Sequence, residues 1–228
     1  MEPRVYAPVR SGGLSFLPLT FAWMTVGLLV SAAVAFVTIT TPALLEMIAG
    51  NRLVLILAFV AQIGIVVALS AMINRLSTAS AAVLFLAYSA LSGVTLSLLL
   101  LVYTAASVVS VFGIAALTFA GMAVYGMTTK RDLTSMGSLL FMALIGLIVV
   151  SVVNIFLGSS ALSWIISFAG VAIFVGLTAY DAQKLKHLAE EVEGTPNAGR
   201  LAILGALTLY LDFINLFIFL LRLLGQRR

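Results

Sequence analysis

The chain has 228 residues, 63% of them hydrophobic and 9% charged, with a mean hydropathy of +1.23. An ordinary soluble domain is about a quarter charged, so this composition excludes a water-soluble globule and leaves lipid as the solvent for most of the chain. The net charge of +4 does not mark a nucleic-acid binder, because the 12 basic residues are scattered at segment ends, as in an oriented membrane protein.

Residues 1–15 read as a short polar tail. Seven apolar segments follow, near 16–40, 52–73, 79–102, 107–128, 136–157, 161–186 and 200–223. Each has about 20 residues or more, enough to cross a hydrocarbon core of about 30 Å. Backbone groups in lipid must be satisfied within the segment, which predicts helices, and the alternation of barrel strands is not seen. The expected fold is all-α: one seven-helix transmembrane domain over 16–225, with 226–228 as a C-terminal tail. Arg4, Arg10 and the small residues Ala33-Val34-Ala35 imitate a signal peptide. The apolar run over 14–39 is too long for an h-region and continues past that site.

Loop charge orients the bundle. With the N-terminus inside, Arg4, Arg10, Arg75, Lys130, Arg131, Lys184, Lys186 and Arg200 fall on the inner side, and Arg52, Arg222, Arg227 and Arg228 on the outer side. Eight against four favours a cytoplasmic N-terminus. The basic C-terminus opposes the rule, which leaves two readings: a full seventh crossing, adopted here, or a re-entrant last segment. Gly93, Gly113, Gly121, Gly146, Gly170, Gly176 and Gly205 read as close helix approaches, and Ser89 and Ser92 as packing positions. Residues 189–197, with Glu190, Glu191 and Glu193, read as a solvated linker. Cys is absent and His187 is the single histidine, so thiolate and His-rich metal sites are excluded. No internal repeat is found, which argues against an inverted-repeat transporter.

Two carboxylates interrupt the apolar segments. Asp181 has no charged residue before it back to Asp132, and Asp212 stands between Arg200 and Arg222. Ionisable groups at membrane depth are costly and mark function by default. Thr208, Asp212, Asn215, Phe219 and Arg222 follow one another at three- and four-residue steps and share a helix face, as do Thr178 and Asp181. Arg75 closes the second segment at the inner surface and is the nearest cation. Gln62 and Asn154 read as structural. Carboxylates in contact at low dielectric cannot both ionise cheaply, so the pair shares a proton. Losing that proton creates repulsion and room for a cation among oxygen ligands suited to Ca²⁺. Asp181 and Asp212 are thus the predicted pH sensor and Ca²⁺ ligands, with Arg75 as a partner and Thr178, Thr208 and Asn215 along the cation path.

These residues carry a family resemblance. Gly176-Leu-Thr-Ala-Tyr-Asp-Ala-Gln-Lys-Leu-Lys186 and Gly205-Ala-Leu-Thr-Leu-Tyr-Leu-Asp-Phe-Ile-Asn-Leu-Phe217 resemble the Bax-inhibitor (transmembrane Bax-inhibitor-motif) family in its bacterial branch. Thr128-Thr-Lys-Arg-Asp-Leu133 and Ser92-Gly-Val-Thr-Leu96 support it. The resemblance covers nearly all the chain after the tail. It implies six helices around a central seventh, a bacterial inner-membrane location and a pH-sensitive calcium leak controlled by an aspartate pair. That pair corresponds by motif to Asp181 and Asp212, and the family's arginine after the second helix to Arg75.

Two other functions compete. One is an interaction protein that modulates a membrane-bound quality-control protease, which needs no aspartates. The other is an intramembrane aspartyl protease. Its Gly-x-Gly-Asp motif is absent, since Asp212 follows Leu209-Tyr210-Leu211, and no proline follows Pro196. No nucleotide-binding loop is present. The expectation is a non-enzymatic protein with no cofactor, whose partners are lipid, protons and Ca²⁺.

Overall fold

A computed structural model describes residues 15–228. The expected tail and its Arg4 and Arg10 lie outside the described residues, apart from Ser15. Eight α-helices follow: α1 (Phe16–Thr40), α2 (Pro42–Ala49), α3 (Arg52–Met72), α4 (Thr78–Val102), α5 (Ala105–Thr128), α6 (Thr134–Leu157), α7 (Ser160–Val192) and α8 (Ala198–Leu224). A 3₁₀ turn, Ile73–Arg75, ends α3. All but α2 are long and apolar enough to cross a membrane, in agreement with the seven expected segments. The short α2 starts with Pro42 in its first turn, where a missing N–H costs nothing.

Two boundaries differ from expectation. The sixth spanning helix, α7, does not stop near 186 but continues to Val192, so Ala189–Val192 is helix and only 193–197 is linker. Charged residues end a lipid-facing segment, but they do not end a helix. Here His187 Nδ1 lies 4.0 Å from Glu190 Oε2, one turn on, and Gly194, with φ 76°, follows the end. The last helix is one unbroken rod of 27 residues, about 40 Å long, which is long enough for the full crossing adopted from sequence and has no break at which a re-entrant segment would turn back. Its end docks on the α4–α5 turn. Thr104 N donates to Gln226 O, Arg228 N to Val102 O (both 3.0 Å), and Gln226 N to Ser107 Oγ (2.9 Å).

The last helix is also the centre. In its most apolar stretch 61% of residues are buried, against 39% for α7 and none for α6. It packs on α1, α4, α5 and α7, whereas α6 leans on α7 and α3 on α4. The shell around α8 is therefore thin on one side, and there Leu204, Thr208, Leu211, Asn215 and Ile218 stay half-buried. On its covered side Tyr210 is fully buried. Its hydroxyl is 2.6 Å from Ser31 Oγ, which donates to Ser89 O at 2.7 Å. Edge-on contacts with Phe85 and Tyr88 complete this α1–α4–α8 junction.

Close approach explains some glycines and not others. A Cβ on Gly93 would stand 2.6 Å from Ser31 O, and those on Gly170, Gly176 and Gly205 would meet Phe219, Leu140 and Leu185. Gly113, Gly121 and Gly146 have nothing within 4 Å, so the expectation of close packing fails there, because composition does not say which face a residue occupies. Two contacts went unanticipated: Gly137 under the Tyr180 ring, and Gly126 against the backbone carbonyl of Ala179. The second seats α5 directly on α7, two residues before Asp181.

Candidate functional site: a carboxylate pair between the last two helices

From Asp181 to the end of α7 is about 16 Å, and from the start of α8 to Asp212 about 21 Å. The extension of α7 thus brings the two to similar depth below their shared loop. Asp181 and Asp212 are 9% and 4% exposed. Their carboxyl groups face one another, and Asp212 Oδ2 is buried without a hydrogen-bond partner. The cation nearest to act on Asp181 is Lys184, one turn along α7. It makes no ion pair; His187–Glu190 is the single one among the described residues.

Asp181 sits where two cavities meet, and Asp212 lines the larger of them. The larger, about 910 Å³, lies between α6, α7 and α8 and is lined by Asp181, Thr208, Asp212, Asn215 and Phe219. The smaller, about 400 Å³, lies toward the α7–α8 loop and is lined by Thr134, Gln183, His187 and Glu191. Tyr180, Asp181, Lys184 and Thr208 line both. Four of the five residues in the α8 stripe therefore face one cavity. Arg222 instead turns to a third cavity at the far end, its guanidinium 5.6 Å from the centre of the Phe219 ring.

Other expected members lie elsewhere. Thr178 is fully buried and donates to Phe174 O at 2.7 Å; it lines neither cavity. A three-residue step leaves about 60° between side chains, and Asp181 takes the cavity side. Arg75 is exposed in the turn after α3, lines neither cavity and makes no ion pair with either aspartate. The arginine holding that turn is Arg200, whose Nη1 donates to Asn74 O (3.0 Å) and Leu76 O (3.3 Å). Gln62 donates to Ser92 Oγ (3.0 Å) and Asn154 to Ser163 Oγ (2.7 Å), which are packing roles. No third His, Cys, Asp or Glu joins the two aspartates among the described residues; Thr208 and Asn215 supply the remaining oxygens.

Three residues of the same motif went unassigned from sequence. Tyr180 and Lys184 border both cavities. Gln183, 7% exposed, donates from Nε2 to Arg131 O and accepts from Leu133 N, both at 2.8 Å. Lys186 Nζ adds a bond to Met127 O at 2.9 Å. These bonds fasten α7 to the end of α5 and the α5–α6 loop, and a neutral amide at 183, between Asp181 and Lys184, was the available signal.

The fold and the buried pair define an integral membrane protein of seven spanning helices whose last two enclose two carboxylates. The chain belongs to the family described as inhibitor of apoptosis-promoting Bax1, whose model matches residues 14–228. It is 50% identical over 221 residues to the inner membrane protein YbhL of Escherichia coli K12, covering 96% of this chain and 94% of the relative. A Borreliella burgdorferi relative is 48% identical over 214 residues (93% and 92% covered), and YrjE of Lactococcus lactis is 38% identical over 219 (95% and 93%).

Proposed function

We propose that this protein is a proton-regulated cation leak of a bacterial inner membrane, with Ca²⁺ as its main cargo and a cytoplasmic N-terminus. The observation that carries the reading is that Asp181 borders both cavities while its partner Asp212 lines the larger one beside it. With one shared proton the carboxyl groups hold α7 and α8 together and the boundary is shut. When the proton leaves, the two like charges repel; at an effective dielectric near 20, unit charges at a separation of about 4 Å would repel by about 4 kcal/mol. That repulsion parts the helices and invites a divalent cation. Thr208 and Asn215 offer further oxygens, fewer than the six to eight a tight Ca²⁺ site uses, which suits passage over retention. Lys184 moderates the negative field at the inner mouth. Arg75, exposed and unpaired with the aspartates, is given no gating role.

The test is Ca²⁺ efflux from dye-loaded liposomes containing the purified protein. Flux rises as pH is raised through the titration of the pair and falls on acidification, because protonation removes the repulsion. Asp181→Asn and Asp212→Asn each flatten that dependence, while His187→Gln, which removes the histidine of the smaller cavity, preserves it. Flux no greater than in empty liposomes overturns the leak. A leak whose pH response survives both aspartate changes overturns the pair as its sensor and favours a modulator of a membrane protease, which needs neither residue.

A further inference from the structure

The third cavity, about 650 Å³, lies at the end where α8 finishes, between α6, α7 and α8. Its lining is unlike the rest of the bundle. Arg222 and Arg227 meet Asn154, Ser160 and Ser163 there, with no acidic residue in the wall. Neither arginine has an ion pair. Trp164 borders it, 61% exposed, and exposed Trp is characteristic of the depth of lipid headgroups. These are also the arginines that break the positive-inside rule, so orientation does not account for them.

The cavity does not end there. It shares Ser151 and Ile155 with the large α6–α8 cavity, whose upper walls are apolar: Leu147, Ile148, Val152 and Phe219. The two form one groove on the side where the shell around α8 is thin. From Arg222 to Asp212 along α8 is about 15 Å, the depth of one leaflet in a hydrocarbon core of about 30 Å. A cationic, hydroxyl-rich head end joined to an apolar trough of one-leaflet length matches one class of molecule.

We propose that this groove binds one anionic phospholipid from the leaflet at the C-terminal end of α8. Its phosphate sits between Arg222 and Arg227, with Ser160 and the second amide hydrogen of Asn154 as further donors. One acyl chain lies along α6 and α8 past Phe219 and ends near Asp212. The site stands independently of the leak. If both hold, the lipid neutralises two cationic charges on the route from the aspartates to that surface.

The test uses the full chain in nanodiscs with phosphatidylglycerol carrying a diazirine at its acyl terminus, against a chain-matched phosphatidylcholine probe. After irradiation, peptides containing Leu147 and Ile148 or Asp212 carry the phosphatidylglycerol label about 25-fold more than the phosphatidylcholine label. That is the order expected when two basic contacts contribute roughly fivefold each. The double variant Arg222→Gln/Arg227→Gln removes the preference, and Arg222→Lys/Arg227→Lys keeps most of it, which separates lost charge from lost fold. Ser151→Phe, at the junction of the cavities, abolishes labelling of the deeper Asp212 peptide. Equal labelling by both probes, or a preference that survives the Gln double variant, overturns the proposal. Full displacement by excess inorganic phosphate shows a free-anion site and overturns it as well.

Discussion

Gly126 gives the sharpest test of how α7 is positioned. Its hydrogen faces the Ala179 backbone, and a methyl there meets the carbonyl oxygen, with the carbonyl carbon 2.8 Å away. Backbone cannot swing aside as a side-chain tip can, so Gly126→Ala must push α5 and α7 apart. Overpacking of this kind costs about 1–3 kcal/mol, set against a gain of up to about 1 kcal/mol from replacing a helical glycine. Gly121, on the same helix, has nothing within 4 Å, so Gly121→Ala keeps only the gain. The two variants carry identical chemistry and should differ in unfolding free energy by about 1–3 kcal/mol, with Gly126→Ala the weaker. The assay is reversible unfolding in mixed dodecylmaltoside and SDS micelles. Equal stability of the two, or a more stable Gly126→Ala, refutes the backbone contact and with it the account of how Asp181 is placed.

Gln183→Ala leaves the buried Leu133 N without its partner, along with the part-buried bond to Arg131 O, and should destabilise by about 1–3 kcal/mol in the same unfolding assay; Gln183→Glu, which keeps only the acceptor, should recover part of that. Asp132, outside the lipid, accepts from Thr134 N at 2.9 Å, and the Thr134 hydroxyl and amide hold its carboxyl below the usual 3.8. Because the folded value is the lower one, the support it gives the start of α6 is complete above the ordinary Asp range and is lost as pH falls through the folded value. A side-chain carbon NMR titration in detergent should place its midpoint below 3.8, and a midpoint at or above that value counts against the contact.

The spans were legible because lipid demands length and apolarity together, and seven segments have both. The eight-residue α2, apolar but for Glu46, lacks the length and left no such signal. Asp181 and Asp212 stood out because a carboxylate in an apolar run is costly wherever its partner lies. Their meeting was not legible until α7 was seen to run on to Val192, since charge at 184–193 marks the end of lipid and not the end of helix. Arg75 and Thr178 show the opposite limit. Both are polar groups at plausible depth, yet lateral position decides whether they reach the pair, and a helical step of three residues or a turn after α3 was enough to take each away. Gln183 and Tyr210 were in view inside quoted motifs, but their partners, Leu133 and Ser31, are 50 and 179 residues distant.

The central helix is the last of the eight in chain order. During synthesis the helices before it enter the bilayer around a vacancy, with the Ser31 hydroxyl and the Asp181 carboxyl turned toward a space that only α8 fills with Tyr210 and Asp212. The Ser31 hydroxyl is already served by Gly27 O and Ser89 O, so the group left waiting is the Asp181 carboxyl, and the insertion of α8 brings it its counterpart while adding Tyr210 to the Ser31 hydroxyl.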